Sequence, residues 1–200
     1  MKSVLISIKP KWCELIASGK KTIEARKTRP KCAVPFKCYI YCTKDFKPNT
    51  KYGYKLWSGR GKVIGEFVCR NMTCMQADID SQGEKHLYNT AFIESRMCLT
   101  AEELFNYIYD GKRNIGWAWG ISDLVIYDKP KELSEFAVTD KEAIQQCEYR
   151  EQSYYAFTDT GYIKNGFYCK KKDDWCFGEC KRKVLTRPPQ SWCYVEEVEE

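Results

Sequence analysis

The stretch Ser18-Gly19-Lys20-Lys21-Thr22-Ile23-Glu24-Ala25-Arg26 decides how this chain is interpreted. In an extended strand, Thr22, Glu24 and Arg26 project from one face, whereas Ile23 and Ala25 project from the other. Lys21 has the parity of the apolar pair, but it lies near a turn, where regular alternation need not hold yet. The stretch therefore predicts a strand with a polar stripe on one face and an apolar, core-facing stripe on the other.

The residues before this strand predict a strand followed at once by a helix. Residues 3–9 alternate in polarity, which is typical of a half-buried strand. Pro10 suits the first position of a helix, and Gly19 suits the left-handed position that follows the last turn. The chain is therefore expected to run strand, helix, strand through Lys27.

The remaining sequence predicts short strands and few helices. We expect strands at 37–42 and 62–70, a loop with a short helix over 71–99, and a helix that begins at the Thr100 and Glu103 capping box. Residues 114–127 predict one bent strand or two adjoining strands that end at Pro130, and residues 191–195 a final strand. No glycine-rich phosphate loop and no regular strand–helix alternation occur, which argues against a doubly wound sheet and favours a small mixed barrel.

Composition limits the class of protein. The chain has 200 residues, of which 44% are hydrophobic and 30% charged, so most of it is expected to fold. No apolar run is long enough for a membrane helix, and residues 1–9 do not resemble a secretion signal, so no membrane partner and a cytoplasmic location are expected. The net charge is +6, although four of the last five residues are Glu. Such a charge favours anionic partners, nucleic acid first, or serves solubility alone.

The opening stretch resembles the motif of the ASCH family, a relative of the PUA domains. In that family a Gly-x-Lys-x-x-Glu-x-Arg pattern follows the first helix, and Gly19, Lys21, Glu24 and Arg26 match it. The resemblance covers residues 1–135 by the order of elements. It implies an α+β fold: a PUA-like mixed β-barrel with two or three flanking helices, followed at 136–200 by a Cys-rich C-terminal extension that packs back on the barrel.

The resemblance also implies a cleft that binds RNA or a modified nucleotide. Lys and Arg can hold a phosphate or a base edge, and a carboxylate can accept from an exocyclic amine. We therefore predict that Lys21, Thr22, Glu24 and Arg26 bind the ligand, with Glu66 nearby and no cofactor required for binding. The alternative is a salt-bridged rim in which these charges only satisfy one another.

Some ASCH relatives are amidohydrolases that cleave acetylcytidine with a lysine, a threonine and a later glutamate. Under this alternative function the resemblance makes Lys21, Glu24 and Glu66 the catalytic residues. The threonine position is occupied by Glu24 here, and Thr22 is displaced from it by two residues. A threonine-nucleophile mechanism therefore fails as written, and hydrolysis ranks second to binding.

Aromatic and basic residues interleave within the third predicted strand and in the residues that follow it, as in surfaces that stack bases and neutralise phosphates. The tyrosines and the tryptophan are Tyr39, Tyr41, Tyr52, Tyr54 and Trp57, and the basic residues are Lys37, Lys44, Lys47, Lys51, Lys55 and Arg60. The alternative is that these rings pack the faces of strands, as they do in any barrel.

Twelve cysteines are present, and five of them fall in the last third of the chain. The spacing of Cys169, Cys176 and Cys180 needs a fourth ligand, which Cys147 or Cys193 could supply. Four thiolates would close a tetrahedral structural zinc site. The sequence thus predicts a structural zinc, with unliganded thiols as the alternative.

Overall fold

The computed structural model describes residues 3–44, 59–91, 93–140, 145–149, 157–158, 161–162, 167–171, 173–176 and 181–197. The chain divides into two compact units, Met1–Leu133 with Arg187–Tyr194, and Ser134–Thr186 with Val195–Glu200. Among the described residues, no helix has the length and apolarity needed to cross a membrane. The expected packing of residues 136–200 on the barrel stays a prediction.

In its described residues, the first unit contains three helices and eight complete strands. The helices are α1 (Pro10–Ala17), α2 (Glu94–Met97) and α3 (Ala101–Ile108). The strands are β1 (Ser3–Ile8), β2 (Ile23–Arg26), β3 (Phe36–Cys42), β4 (Val63–Cys69), β5 (Met72–Ile79), β6 (Lys85–Tyr88), β7 (Ile115–Gly120) and β8 (Ser122–Lys131).

The second unit is built from shorter strands. They are β9 (Phe136–Thr139), β10 (Phe157–Thr158), β11 (Gly161–Tyr162), β12 (Phe167–Cys169), β13 (Asp174–Cys176), β14 (Arg182–Val184) and the end of β15 (Trp192–Glu197), whose first residues belong to the first unit. β9 pairs antiparallel with both β14 and β15, and β10–β11 and β12–β13 form separate hairpins.

One sheet of the first unit has the strand order β15–β1–β3–β4–β8. β1 runs parallel to β3, with Val4 beside Cys38, and the later pairs β3–β4 and β4–β8 are antiparallel. Because strands flank β1 on both sides, residues from Val4 to Ile8 are all buried, so β1 is a central strand and not the half-buried strand predicted. Its core-facing residues pack with those of β3, β4 and α1.

The other sheet has the order β2–β7–β5–β6 and carries α2 and α3 on one face. Met75 and Ala118 of this sheet pack against Leu104 and Ile108 of α3. Within the described residues the strands of the first unit thus form two sheets and not one closed barrel. The expected α+β class with two or three helices is confirmed.

Local signals with a clear physical cause are confirmed. Pro10 begins α1, and Gly19 follows it with φ of +72°. The hydroxyl of Thr100 accepts from the backbone N–H of Glu103, and the Glu103 carboxylate accepts from the backbone N–H of Thr100. Residues 114–127 form two adjoining strands.

Two further expectations were wrong. The segment 71–99, expected to be a loop with a short helix, contains the strands β5 and β6 before the helix α2. β8 does not end at Pro130 but continues to Lys131. It lies at the edge of its sheet, where the missing N–H of a proline is tolerated.

Candidate ligand site beside the first helix

The turn between α1 and β2 delivers Lys21 to the protein interior. The backbone N–H of Lys21 donates to the carbonyl of Leu15 at 2.9 Å, which folds the chain back beneath the helix. Lys21 is only 3% exposed, and its Nζ donates to the carbonyl of Met97 at 2.7 Å. The turn therefore overrides the strand parity that would have placed Lys21 with the apolar residues.

Lys21, Glu24 and Arg26, which we call the motif triad, form one ionic chain. Lys21 Nζ lies 3.3 Å from Glu24 Oε2, and Arg26 Nη2 lies 3.1 Å from Glu24 Oε1. Glu24 and Arg26 are 6% and 8% exposed, so all three residues are buried. The motif residues are therefore brought together as predicted, but they lie in the interior and do not form an exposed rim.

The two faces of β2 separate as the alternation predicts. Ile23 and Ala25 join the core beneath α2 and α3. Glu24 pairs with Trp119 of β7, and Arg26 pairs with Trp117. Trp119 belongs to the other core, so the polar stripe of β2 faces the interior between the two sheets.

The site has one more positive charge than negative charge, and two of its N–H donors have no acceptor among the described residues. Two cations share one carboxylate in the motif triad, and Arg26 Nη2 also donates to the carbonyl of Ser7 at 2.7 Å. The Nε of Arg26 and the Nε1 of Trp119 are buried and lack any acceptor among the described residues. A buried N–H without an acceptor costs about 1–3 kcal/mol, so this arrangement favours a ligand that brings acceptor atoms and negative charge.

The thiols and the phenol beside the motif triad are held in their protonated forms. Contact with the thiol of Cys42, together with burial, raises the pKa of Cys13 well above its usual range. Burial likewise raises the pKa of Cys38, and it raises that of Tyr107 despite the nearby Arg26. These groups are therefore poor nucleophiles at neutral pH.

Thr22 lies at the edge of the site. Its Oγ1 accepts from Arg96 Nε at 3.0 Å, and its backbone N–H donates to the carbonyl of the same residue. Thr22 therefore holds the start of β2 against α2, and its hydroxyl is already engaged.

Glu66 is not brought to the motif triad, which corrects the expectation that it lies nearby. It pairs with Tyr39, whereas the next residue, Phe67, pairs with Cys38 and faces the core. Because strand side chains alternate, Glu66 points to the opposite face of its sheet. There it lies 2.8 Å from Lys37 Nζ and accepts from the hydroxyl of Tyr127 at 2.6 Å.

Only part of the predicted stacking surface lies among the described residues, and the two tyrosines there are buried. Tyr39 and Tyr41 are buried, and burial raises the pKa of both. These two rings therefore pack a strand face, as the alternative held. The segment from Lys47 to Trp57 lies outside the described residues.

The zinc prediction falls largely outside the described residues. Cys147 and Cys169 are described and buried, the side chain of Cys176 is not described, and Cys180 is not described at all. Within the part of the chain that is described, no three His, Cys, Asp or Glu side chains converge in a way that could hold a metal ion.

Sequence reasoning missed several partners of the motif triad. They include Trp119, which pairs with Glu24, the ring of Trp12 beside Lys21 Nζ, and the carbonyls of Ser7 and Met97. Carbonyl groups carry no residue-type signal. Trp119 carried a sequence signal, because the alternation Trp117-Ala118-Trp119 puts it on the same strand face as Trp117. Only the pairing of β2 with β7 shows that it lies opposite Glu24.

The fold and the site define a class of protein: a two-sheet α+β domain with a buried Lys–Glu–Arg site behind its first helix. The family model for the ASCH domain matches residues 6–131, and the chain belongs to this family, which is associated with RNA binding. A comparison with curated proteins gave no match.

Solved structures of an ASCH protein from Zymomonas mobilis are similar to this chain. One shares 16% identity with a TM-score of 0.49 and covers 99% of both chains. A tyrosine-to-phenylalanine variant shares 20% identity with a TM-score of 0.43, covering 66% of this chain and 77% of its own. A serine-to-alanine variant shares 16% identity with a TM-score of 0.48, covering 98% and 89%.

Proposed function

We propose that this ASCH domain binds a nucleotide, free or as one unit of single-stranded RNA, at the motif triad. The observation that carries the proposal is a pair of buried donors, Arg26 Nε and Trp119 Nε1, for which the described part of the chain supplies no acceptor, beside a buried excess of one positive charge. A base carbonyl or a phosphate oxygen supplies the acceptors that both donors need.

Burial limits how the ligand is held. The side chains of Lys21, Glu24 and Arg26 are 2%, 8% and 10% exposed, so they are not a surface track for many phosphates. A ligand that reaches them has to enter the interior, as an unstacked base does in RNA recognition. We therefore expect one nucleotide to be recognised, with few ionic contacts.

Arg29 and Trp117 extend the same sheet face toward solvent. The exposed guanidinium of Arg29 lies 4.4 Å from the centre of the Trp117 ring, and Trp117 is only partly buried. Trp117 pairs with Arg26 across β2 and β7. Aromatic and guanidinium planes stack neighbouring bases, which would let a strand of RNA continue past the buried nucleotide.

The test is calorimetric titration of the full chain with nucleoside monophosphates and with a short single-stranded RNA. Arg26→Lys keeps the charge but removes the guanidinium donors, and we expect it to weaken binding at least about tenfold, or about 1.4 kcal/mol. The matched control is Arg113→Lys, at an exposed arginine of the same unit, which should bind like the parent.

Trp119→Phe provides a second variant that keeps an aromatic ring. It removes a donor that has no acceptor among the described residues, so binding should weaken while the loss of the donor itself costs no stability. Unchanged nucleotide binding in both variants, or no binding of any nucleotide by the parent, would overturn the proposal and leave the motif triad a structural ion cluster.

Salt dependence separates the buried site from a surface groove. One bound phosphate predicts a slope of log affinity against log salt of about -0.7, because the slope for single strands scales with the number of neutralised phosphates. A slope several times steeper for the RNA would place the main contacts on the surface and not at the motif triad.

The hydrolase alternative has no supporting observation among the described residues. Glu66 lies on the other face of its sheet, and the hydroxyl of Thr22 is engaged by Arg96. Lys21 is thus not joined there by the two partners that the hydrolytic relatives use.

A further inference from the structure

The sheet face that carries the motif triad continues beyond the part of it that is buried. Residues that lie opposite each other on paired strands share a face, and so do residues two apart on one strand. Arg26 pairs with Trp117 of β7. Two residues earlier in β7, Ile115 pairs with Gln76 of β5, which also pairs with Tyr88 of β6. These residues therefore line one continuous face, opposite the face that α2 and α3 cover.

Burial decreases steadily along this face. Trp119, opposite Glu24, is fully buried, and Trp117 is partly buried. The next row leaves Ile115 46% exposed and Tyr88 48% exposed. Adjoining apolar side chains that stay exposed commonly mark an interaction surface. The face thus leads from the motif triad to solvent and carries large apolar groups along its length.

The exposed groups on this face are suited to nucleobases. The guanidinium of Arg29 lies 4.4 Å from the centre of the Trp117 ring, and the ring of His86 lies 6.3 Å from that of Tyr88 with 30° between their planes. Between Ile115 and Tyr88, the amide of Gln76 can both donate to and accept from a base edge. Aromatic rings on an open sheet face stack two or three bases in common RNA-binding domains.

We propose that this face binds single-stranded RNA, with one nucleotide at the motif triad, a second base on Trp117 and a third across Ile115 and Tyr88. The inference rests on the proposed function and adds to it the path and the length of the bound strand. Residues two apart on a strand are separated by about 7 Å, roughly twice the 3.4 Å rise of a stacked nucleic-acid strand. The bound bases are therefore stacked on side chains and not on one another.

The acidic end of the β5–β6 hairpin limits the length of the path. Asp78 pairs with His86 in the row beyond Tyr88, and both are exposed. Asp80 Oδ2 lies 2.8 Å from His86 Nε2. Carboxylates at this position repel the phosphate of a further nucleotide. We therefore expect three nucleotides to be held and a fourth to add nothing.

The test measures the affinity of the full chain for RNA of increasing length, by fluorescence anisotropy or calorimetry. The probes are the four homopolymeric oligoribonucleotide series, from the nucleoside monophosphate to the hexanucleotide. In the series that binds best, the second and third nucleotides should each raise affinity about tenfold, because one stacked base contributes about that much. Longer members of the series should bind no tighter than the trinucleotide, apart from the statistical gain of several registers.

Variants on the exposed row locate the strand. Tyr88→Ala and Ile115→Thr should each lower the affinity for the trinucleotide about tenfold, toward that of the dinucleotide. The matched control is Val125→Thr, at a β-branched residue of the other sheet that is 50% exposed, and it should bind the trinucleotide like the parent. The nucleoside monophosphate serves as the internal reference for each variant, and thermal melting verifies that each variant folds.

The two proposals can fail separately. If the monophosphate binds but length adds no affinity, or if Tyr88→Ala binds the trinucleotide like the parent, this inference is overturned while the proposed function stands. If no monophosphate binds but the trinucleotide does so through Tyr88, the proposed function fails and the exposed row alone is supported. A parent chain that binds no RNA, or a dimer in gel filtration that Tyr88→Ala dissociates, overturns the inference, the latter by making this face a contact between copies.

Discussion

Replacing Glu24 by Gln should destabilise the protein severely, because it removes the only anion of the motif triad while preserving its shape. Glu24 lies 3.3 Å from Lys21 and 3.1 Å from Arg26, and its side chain is 8% exposed. Removing one partner of a buried ion pair costs about 3–5 kcal/mol, because the remaining charge is left uncompensated. In a chain of this size each kcal/mol corresponds to about 2–4 °C, so Tm should fall by about 6–20 °C.

The matched control is Asp123→Asn. It breaks the exposed ion pair between Arg70 and Asp123, whose nitrogen and oxygen are even closer at 2.6 Å. Exposed pairs contribute about 0–1 kcal/mol, so this variant should change little. Urea denaturation gives the free energy of unfolding of both variants, and calorimetry gives their Tm.

A second substitution tests whether Lys21 and Glu24 stabilise each other. Lys21→Met should destabilise the parent, but in the Glu24→Gln background it should cost much less, since it then removes a cation that has lost its anion. Two outcomes would refute this reasoning. One is that Glu24→Gln lowers the free energy of unfolding no more than Asp123→Asn does. The other is that the effects of Lys21→Met and Glu24→Gln on that free energy are additive, because the buried charges would then not interact.

Three further predictions concern other parts of the molecule. Burial opposes ionisation of Glu66, but hydrogen bonds from Lys37 and Tyr127 lower its pKa below the usual value. Glu66→Gln should therefore cost about 1 kcal/mol above pH 5 in urea denaturation, and the difference from the parent should vanish as pH falls through the lowered pKa. Thr100→Ala removes the hydroxyl that caps α3 and should lower Tm by about 2–4 °C, whereas Thr100→Ser should not. Incubation with acetylcytidine should release no acetate above a protein-free blank, and turnover abolished by Lys21→Ala would refute this.

Much of the first unit follows from local signals in the sequence. The proline start and glycine end of α1, the capping box of α3 and the alternation in β2 each have a cause within a few residues, and each was correctly predicted. β5 and β6 pair with each other as a local hairpin, but they were missed because neither has a strong alternating pattern of apolar and polar residues. β5 pairs with β7, some 40 residues later, and its polar residues face outward without a strong alternating pattern.

The candidate site was predicted in its residues but not in its surroundings. The motif spacing placed Lys21, Glu24 and Arg26 together, yet their burial depends on a second sheet that covers them, and local patterns carry no information on that. For Glu66 the strand was predicted but the position of the side chain was not. Its strand was predicted correctly, but the face on which it lies depends on register with β3, and a shift of one residue would exchange the two faces.

The central position of β1 has a consequence for how the protein is made. Ser7 donates through its N–H to Ser191 and through its hydroxyl to Pro189, 182 residues away in sequence, and its carbonyl accepts from Arg26. During synthesis on the ribosome, β1 emerges first but keeps one open edge until residues 187–194 leave the exit tunnel. Contacts so distant in sequence slow folding, and a nascent chain would expose the unpaired edge of this apolar strand until its last partner has been made. Pulse-labelled chains halted before residue 187 should accordingly be degraded by protease faster than released ones.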